Sequence, residues 1–63
     1  MARASYPVTV TCEDEFWVAV VEGVPGAATE TRHLSTLETE VRDLLAGLTG
    51  QDEHDFDLDF RHT

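Results

Sequence analysis

Hydrophobic and polar positions alternate strictly over residues 6–12. Tyr6, Val8, Val10 and Cys12 fall on one side, Pro7, Thr9 and Thr11 on the other. A two-residue period carried by β-branched side chains predicts a strand there. Pro7 has no N–H to give a ladder, which puts it at the strand's start or on an edge. Glu13-Asp14-Glu15 interrupts the alternation as a short hairpin connection. The continuous apolar run FWVAVV, closed by Glu22, predicts a second strand over about 16–22 with both faces covered. GVPG at 23–26 is a turn with two glycines and a proline. A weaker, polar strand follows over about 27–32 (AATETR), suited to the edge of a sheet.

The period then changes. Leu37, Val41, Leu44, Leu45 and Leu48 recur at the spacing of one apolar helical stripe, predicting an amphipathic helix over about 36–48. Ser35 and Glu38 have the spacing of a capping box, and Gly50 stands where a left-handed residue would end the helix. Asp55-Phe56-Asp57-Leu58-Asp59-Phe60 alternates acid with apolar, predicting a last strand over about 55–61 with one face lined by carboxylates. The order β-β-β-α-β defines one α+β domain over residues 1–63. Short loops make the first three strands an antiparallel meander, and the helix lays its stripe on one sheet face. The return after the helix places the last strand parallel to the first, in spatial order 3-2-1-4.

Composition narrows the function. Thirteen Asp and Glu against four Arg and no Lys give the 63-residue chain a formal charge of −9. Phosphate binding draws its affinity from clustered Lys and Arg, which are missing here. Direct nucleic-acid binding and attachment to an anionic membrane are therefore not expected. The single cysteine excludes an intrachain disulfide, and no apolar run approaches the roughly 20 residues of a membrane span. With no apolar leader in the sequence, the expectation is a cytoplasmic protein. An acidic surface suits a basic protein partner, whose encounter it speeds and orients.

Candidate chemistry is sparse. The Asp55, Asp57, Asp59 row does not match a calcium loop, which needs Gly at its sixth position and Glu at its twelfth. The row reads either as a solvated, aggregation-resistant edge or as a strand that meets Arg or Lys on a partner. His33, His54 and His62 have no metal-ligand spacing, and Cys12 reads as a small buried hydrophobe. Trp17 poses a choice of register. If Phe16, Val18 and Val20 point at the helix, then Trp17, Ala19 and Val21 face a side that nothing else in the chain can cover. Either the register is the reverse, or Trp17, Ala19 and Val21 form a partner interface; the interface is the reading preferred on sequence. No nucleophile has a placed base and no glycine loop cradles phosphate, so an enzyme is not expected, nor any cofactor or metal.

Tyr6-Pro7-Val8, then Phe16-Trp17-Val18-Ala19, then Val24-Pro25-Gly26 and Thr29, and finally Leu37-Glu38 with Glu40-Val41 form a series that resembles the HicB antitoxin domain. The resemblance covers roughly residues 6–48, and the last strand fits that family's partial RNase H-like β-β-β-α-β fold. Two departures stand out: Ala27 where the family often has Cys, and residues 29–33 without its usual Gly-Asp turn. The resemblance implies the antitoxin of a type II toxin–antitoxin pair. Such a domain binds and neutralises a small basic HicA-like mRNA-cleaving toxin, and it commonly dimerises. Many relatives add a C-terminal DNA-binding domain. None is present by Thr63, so promoter binding by this chain is not expected. The alternative is an orphan homodimeric acidic interaction module of the same fold. A small nuclease that keeps RNase H-like carboxylates is a weaker third idea.

Overall fold

The computed structural model describes residues 3–63. Its elements run β1 (Ala4–Glu13), β2 (Phe16–Val21), β3 (Ala28–Thr31), α1 (Leu34–Thr49) and β4 (Phe56–His62). They form one four-stranded mixed sheet in the order β3-β2-β1-β4. The β1–β2 and β2–β3 pairs are antiparallel, and β1–β4 is parallel. Both the strand order and the parallel return agree with the short loops and the crossover after the helix expected from the sequence.

β1 is longer than its alternating stretch because β4 pairs with it from Ala4 onward. β1 is a central strand, as the expected order implies, and Pro7 is its fourth residue, inside the strand rather than at its start or on an edge. The geometry explains the tolerance. The Pro7 carbonyl accepts the Glu22 N–H, whereas the β1–β2 ladder itself begins at Val8–Val21. A residue's N–H and C=O point the same way in a strand, so the missing N–H falls where β2 has already ended.

The turn between β2 and β3 is built by Gly23 and Gly26, both at positive φ near 80°. It folds back so that Ala27 donates to the Val24 carbonyl and accepts from Val21 N–H. Ala27 thereby belongs to the turn, and β3 is shorter than expected.

The helix starts earlier than the capping-box spacing suggests. His33 is its N-cap and makes no side-chain cap. The His33 N–H donates to Thr31 Oγ1, and the Thr36 hydroxyl donates to the His33 carbonyl. Those threonine bonds draw the chain into the helix at Leu34, so Ser35 lies inside the first turn. Glu38 instead accepts from Arg42 Nε at 3.0 Å, an i, i+4 pair. At the other end Gly50 adopts φ 74° and its N–H bonds the Ala46 carbonyl, as its position predicts.

One face of the sheet and the stripe of α1 enclose the core. Val8, Val10, Ala19, Val21, Ala27, Leu37, Val41, Leu45 and Phe56 are buried. The helix lies over β2 and β3 rather than β4. Leu58 and Phe60 on the helix side of β4 are therefore only half buried. Leu48, expected in the stripe, is half exposed in the last helical turn.

Candidate docking surface

The face of the sheet opposite α1 is uncovered. Its composition follows from the ladder register. Val8 pairs with Val21, Val10 with Ala19 and Cys12 with Trp17, and paired residues point to the same side. Trp17, Ala19 and Val21 therefore face the helix. Ala19 is 0% and Val21 3% exposed, which removes them as surface contacts. This corrects the sequence preference: the register is the reverse one. Trp17, half buried near the start of β2, sets its ring edge-on to that of His62, with centroids 6.4 Å apart.

Phe16, Val18 and Val20 consequently face outward, with Val20 45% exposed. Ala28 and Glu30 of β3 lie beside them, and Thr9 and Thr11 of β1 lie on the other side. The parallel register brings Asp57, Asp59 and Arg61 of β4 onto the same face, opposite Ser5, Pro7 and Thr9. The open face is thus an apolar strip running down β2, with the exposed carboxylates of Glu13, Glu30, Asp57 and Asp59 at its margins. Of the acidic row, Asp57 and Asp59 join this face, while Asp55 precedes the strand.

Arginines are threaded through the acidic margin. Arg3 Nε lies 3.4 Å from Asp57, and Arg61 Nη2 lies 3.1 Å from Asp59. Both pairs are more than half exposed and hold little energy. The Arg32 guanidinium sits 5.1 Å above the centre of the Phe16 ring and covers part of the strip's end.

The role of the remaining arginine escaped sequence reasoning. Arg42 reaches from the middle of α1 to the start of β4. Its Nη1 donates to the carbonyls of Glu53 and Phe56, each at 2.9 Å, and its guanidinium lies 5.5 Å from the Phe56 ring centre. Arg3 donates to the carbonyls of His54 and Phe56. Arg3 thus ties the start of β4 to the chain entering β1, and Arg42 ties it to α1. The acid-to-arginine spacing Glu38–Arg42 was the one available signal.

Cys12 is exposed, against the expectation of burial: it points to the helix side but lies near the end of β1. Among the described residues, no three His, Cys, Asp or Glu side chains converge as metal ligands would. Nor is any described helix long and apolar enough to cross a membrane. In comparisons with known proteins, no family model matches the chain, and neither a curated protein nor a solved structure shows significant similarity to it.

Proposed function

We propose that this chain is the antitoxin of a type II toxin–antitoxin pair. In this reading a HicB-like domain of partial RNase H-like fold neutralises a small basic HicA-like mRNA-cleaving toxin in the cytoplasm. One observation carries the proposal: the apolar strip of Phe16, Val18 and Val20 lies uncovered between carboxylates on the side of the sheet that has no helix. Contiguous apolar surface with a polar rim marks a protein contact. A net charge of −9 selects a basic partner over an acidic one. The sheet order and the single helix are compatible with the fold that the sequence resemblance implies. Binding blocks the toxin by covering the cationic surface with which it holds RNA, so the chain needs no catalytic group of its own.

The test is co-expression with a small basic HicA-like protein, sought first in the reading frames that flank the gene for this chain. Rescue of growth and a complex in gel filtration are expected, with both lost in a folded Val18→Glu/Val20→Glu variant. Persistent toxicity with no complex sinks the proposal. The alternative, an orphan homodimer closed across the same apolar strip, has to bring one −9 surface against another. Sedimentation showing a salt-tolerant dimer, without toxin binding, selects it instead.

A further inference from the structure

On the helix side of the sheet, at the margin of the core, a cleft of about 240 Å³ opens between the start of α1 and strands β1 and β4. Val10, Leu34, Leu37 and Phe60 make its apolar walls, and Glu38 and His62 are its polar groups. It exists because α1 lies over β2 and β3, leaving the last residues of β4 without a cover. Leu34, on its rim, is 46% exposed although it opens the helix.

We propose that this cleft receives one arginine side chain of the basic partner, reaching round the free edge of β4 from the open face. The inference rests on the reading of that partner as basic. Three observations specify the occupant. The volume lies below the roughly 300–1,000 Å³ of small-molecule pockets and suits a single long side chain. The walls are apolar along most of their length, which matches the three-carbon stem of arginine. Glu38 supplies the terminal charge: its Oε2 accepts from Arg42, and among the described residues nothing donates to its Oε1. A guanidinium can therefore bond Oε1 without displacing Arg42, which keeps its bonds to the Glu53 and Phe56 carbonyls. Phe60 lines the same cleft and adds an aromatic side chain to the wall beside that cation. His62, set edge-on to Trp17, also lines the cleft.

The experiment is an NMR titration of the full chain with Nα-acetyl-arginine amide, whose only charge is the guanidinium. Saturable shifts are expected at the amides of Leu34, Leu37, Glu38, Phe60 and His62. Nα-acetyl-leucine amide should produce none. Glu38→Gln and Leu34→Ser should each abolish saturation while the spectrum stays dispersed, and Val20→Glu on the opposite face should leave it intact. Equal shifts with the leucine probe, shifts confined to the open face, or saturation unchanged in Glu38→Gln would each overturn the proposal. The growth assay separates the two readings. A chain that binds the probe at the cleft but neutralises no toxin breaks the functional reading alone. One that neutralises its toxin without any probe shift breaks the cleft alone.

Discussion

The two faces of this sheet are made from the same kinds of residue and do different work. Val8, Val10 and Val21 on one side are closed under Leu37, Val41 and Leu45 of the helix. Val18 and Val20, neighbours of these along and across the strands, face water among carboxylates, Val18 half buried and Val20 exposed. Apolar side chains on the first face hold the fold; on the second they are available to something else. The difference lies in coverage rather than composition. A domain of this size has one helix to spend on two faces, and a core this small supplies only roughly 3–5 kcal/mol. The contrast predicts that substitutions on the covered face act on folding and those on the open face act on binding.

The largest effect is expected from Leu45→Ala. Leu45 is fully buried, and truncating a buried leucine costs about 2–5 kcal/mol through lost transfer energy and the cavity left behind. That range spans the stability available to the whole domain, so the variant should be largely unfolded by far-UV circular dichroism at room temperature. A variant with an unaltered urea midpoint would mean that the helix does not hold the covered face closed.

Arg42→Ala comes next. It deletes two charge-assisted bonds to backbone carbonyls and the stacking on Phe56 that tie α1 to the start of β4. Hydrogen bonds to charged groups are worth about 1.5–3 kcal/mol in general; with the Arg42 side chain 21% exposed, a total loss of about 1–2 kcal/mol is expected in urea denaturation. Arg42→Lys should recover little of it, because an ammonium lacks the planar fork that reaches both carbonyls. Amide exchange should show β4 opening first. If β4 keeps its protection in Arg42→Ala, the tie is not what fixes the strand.

How much of this was legible in the sequence depends on whether a segment's pattern has a phase. In β1 every second residue is apolar, so its inward face could be read directly. β2 is apolar at all six positions, and its pattern says strand without saying which way. Its facing is inherited from β1 through the hairpin. Treating Glu13-Asp14-Glu15 as a three-residue loop pairs Cys12 with Phe16 and turns Trp17, Ala19 and Val21 outward. The real loop has two residues, Asp14 and Glu15, with Asp14 at φ 54° and Glu13 paired with Phe16. One residue of loop length reversed the facing of the whole strand, and with it the composition of the candidate surface. The acidic half of that surface was legible, since Asp57 and Asp59 alternate with Leu58 and Phe60. Arg42 was not, because its carbonyl partners lie on a loop and strand that local spacing cannot reach.

A smaller change of opposite sign is expected from Gly47→Ala. Gly47 is exposed within α1 at an ordinary helical φ, and a Cβ there would meet nothing within 4 Å. Alanine should stabilise by about 0.5–1 kcal/mol, because glycine loses more backbone freedom when the helix forms. The gain should appear as a raised melting temperature with partner binding unchanged. A loss of stability would show that the helix surface at Gly47 is packed against something.

The sharpest form of the comparison makes one chemical change on each face. Val8→Thr and Val20→Thr swap a methyl for a hydroxyl at β-branched positions of adjacent strands. Val8 is 0% exposed and has no room for water, so its hydroxyl is buried at a cost of about 1–3 kcal/mol. Val20 is 45% exposed, and its hydroxyl stays hydrated on a strand position that threonine tolerates well. The expected change there is within about 0.5 kcal/mol, the smallest of the set. Partner binding should reverse the order, with Val20→Thr weakening the complex and Val8→Thr leaving the affinity of the folded fraction unchanged. Equal costs at the two sites would mean that the open face is closed in solution, and concentration-dependent melting of the wild-type chain would then identify a second copy as its cover.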